Sequence, residues 1–319
     1  MEIRVDRKAA VKKIRALVLS QKSEIESFRA KLEKRFSSDF IPNRVERIEQ
    51  KIGGVQCDVL VPEAFASRRV MIYVHGGSFV GGSRESWRSF CAVLANAVSS
   101  RVIVPEFRLA PSYPYPSSIE DLENVLSAVL EGNDGGEIIL GADGSGASIA
   151  MGLLFGAEEK RRAAVSKLIL FSPWLDLSFE NPLIANKRLR DEVLSVEDLR
   201  YAADLYTYSS NLVNCKVSPL RALEKDFAGF PEVYIQCGEK EILLQQSQQL
   251  CEMLRRCNVT ATLDAVPGMM FMFQMADEYL AESHAAIERI GSYINSQGSL
   301  TERELAERRR LMRENNIQI

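Results

Sequence analysis

The stretch whose residue types and spacing most suggest chemistry is residues 138–150, IILGADGSGASIA. An apolar, β-branched run leads into a glycine-dense turn, and small residues that suit a helix start follow it. A strand–turn–helix of this kind raises a serine nucleophile above a sheet when it has the pattern G-x-S-x-G. Read without a gap, the nucleophile position is Gly144, between Asp143 and Ser145. The sequence therefore predicts the turn of a nucleophile site with no side chain at its centre.

Two histidines, His75 and His284, are the only imidazoles in the sequence. A serine nucleophile normally needs an imidazole as its general base. His75 stands in a glycine-rich loop, and His284 falls inside the last amphipathic helix, so we expect both to be structural or surface residues. Shifting the pattern by one residue, to make Ser145 the nucleophile, would still leave that serine without a base.

Other residues that could carry chemistry are better explained as structural. Asp143 as a carboxylate nucleophile would also want a histidine to activate water, so we expect it to stabilise the turn. The six cysteines are scattered without C-x-x-C pairs and suggest buried thiols in a reducing compartment. The glycines at 141–146 lack the Lys-Ser/Thr end of a phosphate loop. Since no cluster of His, Cys or carboxylates suggests a metal site, we expect neither a metal nor a cofactor.

The composition is that of an ordinary globular protein, with 46% hydrophobic and 26% charged residues. The net charge of −3 gives no overall basic field that would attract nucleic acid. The N-terminus lacks the apolar core of a signal peptide, and no apolar run is long enough for a transmembrane segment. The sequence therefore predicts a cytoplasmic location.

The elements that must position these residues follow from periodicity. Residues 1–36 show a helical apolar stripe with basic residues elsewhere, which predicts helices packed on the protein's own body; binding to a membrane surface is the alternative. Residues 44–62 alternate around Gly53 and Gly54, which predicts a β-hairpin. The run at 70–83, VMIYVHGGSFVGGS, begins as a fully apolar strand, typical of strands buried on both faces of a sheet, and continues directly into glycines.

Several short motifs follow one another along the chain. They are HGGSF at 75–79, FRLAP at 107–111, SPL at 218–220, EVYIQCGEKEILL at 232–244 and PGMMFMF at 267–273. Together with the turn at 138–150, they resemble the motifs of the hormone-sensitive-lipase-like α/β hydrolases, a family of carboxylesterases. The resemblance extends over roughly residues 45–295.

The resemblance implies an α/β fold of the α/β-hydrolase type. We expect a central, mostly parallel sheet of eight strands, flanked by helices and covered by a small helical cap. Residues 1–45 would form the N-terminal part of the cap, with a further cap insertion at about 180–215. Residues 46–298 would form the core, and 299–319 a helical tail that is solvated or mediates contact with a partner or a second copy.

The resemblance also implies where a catalytic triad would lie. The family's serine, acid and histidine correspond to Gly144, Glu241 and Phe271, so no triad is intact. The oxyanion hole corresponds to the loop of His75, Gly76 and Gly77, together with the backbone N–H of Ser145, a role that does not depend on its hydroxyl.

These positions predict a catalytically degenerate homologue that binds a small apolar or acyl/carboxylate ligand, or a protein partner. The alternative is an unconventional carboxylic-ester hydrolase. Plant gibberellin receptors, which are similar in fold and in the HGGSF loop, have also lost the catalytic histidine. We expect an apolar pocket beside Phe271; the alternative is that Met269, Met270, Phe271 and Met272 fill it.

Overall fold

The computed structural model describes residues 6–37, 41, 44–65, 68–132, 135–179 and 191–296. Eight strands form one sheet. They are β1 (Val45–Ile52), β2 (Val55–Pro62), β3 (Arg69–Val74), β4 (Arg101–Pro105), β5 (Glu137–Asp143), β6 (Val165–Phe171), β7 (Glu232–Gly238) and β8 (Ala261–Val266). The helices are α1 (Arg7–Ile14), α2 (Ile25–Phe36), α3 (Arg84–Val98), α4 (Ser117–Gly132), α5 (Gly144–Gly156), α6 (Glu159–Ala164), α7 (Val196–Tyr206), α8 (Leu244–Arg256) and α9 (Ala281–Ser296).

The strand order is β1-β2-β4-β3-β5-β6-β7-β8. β1 and β2 form an antiparallel hairpin, and Ile52 pairs with Val55 across the turn at Gly53 and Gly54. β2 is also antiparallel to β4, whereas all pairs from β4 to β8 are parallel. Both the hairpin and the mostly parallel, eight-stranded sheet predicted from the sequence are confirmed.

The central strands are apolar along their whole length because helices cover both faces of the sheet. All six residues of β3 are buried, and β5, β6 and β7 expose at most their first two residues in part. α5 follows β5 with no intervening loop, and its residues from Gly144 to Leu154 are all buried. The buried α5 therefore holds the β5–α5 turn in a fixed place at the carboxyl edge of the sheet.

The N-terminal helices lie on the body of the protein through an apolar stripe, as the periodicity predicted. The buried residues of this stripe are Ala10, Ile14, Leu17, Phe28, Leu32 and Phe36. Arg29 of α2 also donates hydrogen bonds to the carbonyl oxygens of Val80 (2.7 Å) and Ala110 (3.0 Å). The N-terminal helices are thus attached to the loops that surround the β5–α5 turn.

Two of the predicted segments fall wholly or partly outside the described residues. α7 lies within the predicted cap insertion at about 180–215, but residues 180–190 are not described. The predicted C-terminal helix at 299–319 lies entirely outside the described part. The boundaries of cap, core and tail therefore stay predictions.

In the part of the chain that the structure describes, no helix is both long enough and apolar enough to cross a membrane. Over the same residues, no group of histidine, cysteine and carboxylate side chains is arranged to hold a metal ion.

Candidate functional site

The β5–α5 turn has the backbone of a nucleophile turn and a phenyl ring directly above it. Gly144 adopts φ +48°, in the left-handed region that favours glycine. A Cβ atom added at Gly144 would lie 3.1 Å from Cζ of Phe271, a tighter contact than side chains normally make. The positions that the sequence assigned to the serine and the histidine therefore face each other, and the ring of Phe271 occupies the space that a side chain at 144 would enter.

Small residues around the turn are required by close backbone packing. A Cβ at Gly146 would lie 2.3 Å from the carbonyl oxygen of Val74, and a Cβ at Gly76 would lie 2.4 Å from a carboxylate oxygen of Asp143. No side chain fits at either position. The glycines that resemble a catalytic motif are therefore also needed for the packing of β3, β5 and α5.

Glu241 lies in the loop that follows β7 and is almost fully buried. Its Oε2 accepts hydrogen bonds from Ser172 Oγ (2.7 Å) and from the backbone N–H of Gly238 (3.0 Å). Its Oε1 is buried and has no hydrogen-bond partner among the described residues. Burial raises the pKa of Glu241 to about 8, although both hydrogen bonds act in the opposite direction. Glu241 therefore carries a proton at neutral pH for most of the time.

Ser172, which the sequence analysis missed, connects the loops around the site. Its Oγ donates to Glu241 and accepts a hydrogen bond from the backbone N–H of Met272 at 3.0 Å. The loop after β6 is thereby joined to the acid-bearing loop and to the segment that carries Phe271. The only sequence signal for this role is its place directly after β6, which ends at the same edge of the sheet as β5 and β7.

Asp143 is a structural centre of the turn. Its Oδ1 accepts hydrogen bonds from Tyr73 Oη (2.9 Å), Trp87 Nε1 (2.8 Å) and the backbone N–H of Gly76 (3.1 Å). Burial raises the pKa of Asp143 to about 7, against the lowering effect of these hydrogen bonds. A carboxylate enclosed by three donors is poorly placed to attack a substrate, which supports the structural role expected from the sequence.

Neither histidine lies in position to act as a base for the turn. The ring of His75 is stacked between Trp87 and Phe107, with centroid distances of 4.9 and 4.3 Å. Burial lowers the pKa of His75 to about 4, and its Nδ1 lies 2.8 Å from the carbonyl oxygen of Gly76. His284 is exposed on α9. The placement of both agrees with the structural and surface roles expected from the sequence.

The hydroxyl of Ser145 has a partner that the sequence did not indicate. Ser145 Oγ accepts a hydrogen bond from the backbone N–H of Phe79 at 3.1 Å. Phe79 has φ +65° and Ser78 has φ +57°, so this loop needs an external acceptor to hold its unusual backbone. The hydroxyl was overlooked because the contact joins two segments that are remote in sequence.

The predicted oxyanion-hole residues fall into two groups. The ring of His75 and the N–H of Gly76 are engaged in the contacts described above. Gly77 and Ser145 both line a small cavity above Gly144. Backbone donors for a carbonyl oxygen would therefore have to come from Gly77 and Ser145.

The cavity above Gly144 is much smaller than a ligand site. Its volume is about 20 Å³, which is room for roughly one water molecule, whereas small-molecule pockets measure roughly 300–1,000 Å³. An apolar pocket large enough for a ligand was expected beside Phe271, and the described residues leave no such volume there. Apolar side chains from five parts of the chain close it, namely Leu17, Val18, Trp174, Leu194, Leu199, Leu243 and Phe271. Met269, Met270 and Met272 are buried but do not line it.

Comparisons with known proteins agree with this architecture. The sequence pattern of the alpha/beta hydrolase fold matches residues 71–275. The chain is 30% identical over 248 residues to an esterase of Acinetobacter venetianus, covering 77% of this chain and 80% of that protein. It is 27% identical over 229 residues to an acetyl-hydrolase of Streptomyces hygroscopicus, covering 72% and 76%. The crystal structure of an esterase from the bacterial hormone-sensitive lipase family superposes with a TM-score of 0.82 and 25% identity, covering 92% of this chain and 98% of the other.

Proposed function

Because the chain belongs to the α/β-hydrolase fold family, in its hormone-sensitive-lipase-like branch, we propose that it keeps this architecture without serine-triad chemistry and acts by binding. The proposal has two parts. The first is that ester hydrolysis through a serine, an acid and a histidine is lost. The second is that the binding function uses the outer surface of the molecule.

The observation that carries the first part is the pair of Gly144 and Phe271. Glycine has no atom that attacks a carbonyl carbon, and a phenyl ring neither takes nor gives a proton. The two residues lie opposite each other, with Phe271 Cζ 3.1 Å from the Cβ position of Gly144. Glu241 is bonded to Ser172 and Gly238, so it also has partners that do not depend on a histidine.

The loss is large in energetic terms. An enzyme that keeps its oxyanion hole but lacks its triad retains roughly 10³–10⁴-fold acceleration over the uncatalysed reaction, several orders of magnitude below a working hydrolase. Ser145 does not replace the nucleophile, because its hydroxyl is tied to the N–H of Phe79. Neither His75 nor His284 is placed to activate it.

The size of the cavity supports the second part. A small acyl or carboxylate ligand does not fit above Gly144, where the volume is about 20 Å³. A family member with a filled interior would interact through its exposed face. This favours a macromolecular partner over the small apolar ligand that the sequence suggested.

Ester hydrolysis is the second candidate function, and the comparisons by themselves favour it. The sequence relatives are named as an esterase and an acetyl-hydrolase. Two backbone donors, at Gly77 and Ser145, also remain beside the cavity. An active hydrolase would need a nucleophile other than residue 144 and a base other than residue 271.

A direct assay separates the two candidates. Purified protein is incubated with short-chain nitrophenyl esters and, separately, with a serine-reactive fluorophosphonate probe, and an active esterase of the family serves as the positive control. We expect no labelling of the wild type, and we expect it to hydrolyse the esters no faster than a Ser145→Ala variant does. Turnover near that of the active relative, or labelling that disappears in Ser145→Ala or Ser172→Ala, would establish the hydrolase instead.

A further inference from the structure

The outer face of the two N-terminal helices is strongly basic. Residues 6–37 contain ten lysines and arginines and four acidic residues, a net charge of +6, so the rest of the chain carries −9 within the total of −3. The inner face of the same helices is packed on the body through Ile14, Leu17, Phe28 and Leu32. The positive charge is therefore concentrated on one side of a molecule that is acidic elsewhere.

Six of these cations line one groove between α1 and α2. They are Lys8, Lys12, Arg15, Lys31, Lys34 and Arg35, all of them exposed. Only Val11 and Ala16 complete the lining, so no carboxylate faces the groove from the described residues. Similar charges brought this close repel one another, and a fold gains nothing from such an arrangement unless an anion lies over it.

The neighbouring acidic groups already have other partners. Glu192 forms its ion pair with Arg7, and Asp198 accepts a hydrogen bond from the backbone N–H of Gln21 at 2.8 Å. Asp191 accepts from Val193 and Ile242 at 2.7 and 2.9 Å. Arg15 donates a hydrogen bond to the carbonyl oxygen of Glu192 at 2.7 Å, and the hydrogen bond from Arg7 and the charge of Arg15 both lower the pKa of the Glu192 carboxylate. Within the described part of the chain, none of the six groove cations forms a direct ion pair.

We propose that this basic face of α1 and α2 docks on the surface of an anionic lipid bilayer. The face has the composition of a polybasic membrane-binding surface, in which each lysine or arginine contributes separately and reversibly. The inference goes beyond the proposed function and does not depend on whether the protein hydrolyses esters. None of the groove residues lines the cavity above Gly144.

A bilayer fits this face better than a protein partner does. Protein interfaces are usually centred on aromatic or arginine anchors and are depleted in lysine. The exposed large hydrophobic side chains of the described chain are Ile48, Phe65, Tyr113, Tyr208, Val213 and Leu223, and none belongs to α1 or α2. A diffuse anionic surface needs no such anchor. The absence of exposed apolar groups in the helices also means that the contact is electrostatic, with no insertion into the bilayer.

The test uses the full chain and sedimentation with vesicles of phosphatidylcholine alone or mixed with phosphatidylserine. We expect binding only to the anionic vesicles, and its loss as salt is raised, because salt screens charges at the surface. The variant Lys12→Gln/Lys31→Gln/Lys34→Gln removes three groove charges and should bind at least roughly 100-fold more weakly. The matched control Lys51→Gln/Lys225→Gln/Arg256→Gln changes the total charge equally through exposed residues elsewhere and should bind within a few-fold of the wild type.

Several results would overturn the proposal. They are equal weakening in the two triple variants, equal binding to neutral and anionic vesicles, and no vesicle binding at low salt. Poly-glutamate and a DNA duplex are tested in parallel; binding to either one through the groove lysines, without vesicle binding, would assign the face to that class of partner. Circular dichroism checks that the groove variant is folded. If it is not, the proposal is tested by vesicle binding of the single variant Lys31→Gln, which should be weaker than that of the wild type, and by the loss of wild-type binding at high salt.

Discussion

At the scale of single residues, the pair Gly144 and Phe271 holds most of the information about this site. A serine at 144 would place its Cβ 3.1 Å from the phenyl ring and would have to adopt φ +48°. A histidine at 271 has a smaller ring, which relieves the contact. The two positions are therefore coupled by packing, independently of any catalytic role.

This coupling predicts the outcome of a double-mutant cycle. Gly144→Ser alone should lower the free energy of unfolding by about 1–3 kcal/mol, through overpacking and backbone strain. Gly144→Ser/Phe271→His should be more stable than the sum of the single changes by about 0.5 kcal/mol or more. Urea denaturation of the four proteins gives the cycle. Free-energy changes that simply add would mean that residues 144 and 271 are not coupled by packing.

The residue roles differ in how far the sequence could reveal them. Gly144, Phe271 and Asp143 could be singled out because each stands in a short motif that resembles a motif of the family. Ser172 and the Ser145 hydroxyl were missed because each contacts segments that are remote in the chain. A hydroxyl that serves as an acceptor for a distant N–H leaves no local pattern.

At the scale of elements, the loop at 75–82 and α5 form one unit with β3 and β5. Asp143 holds the N–H of Gly76, and Ser145 Oγ holds the N–H of Phe79. Ser78 Oγ accepts a hydrogen bond from the N–H of Leu19 at 3.0 Å, so the N-terminal segment is fastened to the same loop. The sheet and the hairpin could be predicted because their signals are local periodicities and turns. The closure of the cavity could not, since it depends on how Leu17, Val18 and Leu194 pack from separate elements.

The hydrogen bond from the N–H of Phe79 to Ser145 Oγ predicts that the Ser145 hydroxyl stabilises this loop. Ser145→Ala would leave the N–H of Phe79 buried without its acceptor and should lower the free energy of unfolding by about 1–3 kcal/mol. Hydrogen exchange should become faster at Phe79 first, and then at Leu19. Ser209→Ala, at an exposed serine, is the control and should have little effect. Equal stability of the two variants would show that the Ser145 hydroxyl does not support the loop.

At the scale of the whole molecule, two buried acids make stability depend on pH. Burial raises the pKa of Glu241 from 4.5 to about 8 and that of Asp143 from 3.8 to about 7. Above the unfolded values the folded protein keeps protons that the unfolded chain releases. Through these two acids stability falls as the pH rises, until Glu241 stops contributing above about pH 8. His75, whose pKa is lowered from 6.5 to about 4, acts in the opposite direction below about pH 6.5, so the fall is clearest between about pH 6.5 and 8.

Replacing Glu241 tests this directly. Glu241→Gln keeps an acceptor for Ser172 and Gly238 but has no proton to release, so it should flatten the pH dependence and be more stable than the wild type at pH 8. Thermal unfolding between pH 5 and 8 measures the slope. Glu123→Gln, at an exposed carboxylate of α4, should leave the slope unchanged. A Glu241→Gln variant with the same pH dependence as the wild type would contradict the assignment.

The contact between residue 144 and the ring of Phe271 also has a historical consequence. While Phe271 is present, a serine at 144 meets the ring; while Gly144 is present, a histidine at 271 has no nucleophile to activate. Under the proposed function, restoring either residue alone would bring no catalytic benefit, and Gly144→Ser alone is expected to lower stability. If serine-triad chemistry has been lost as proposed, this packing would act as an evolutionary ratchet, because descendants of this chain would need both changes together to regain it.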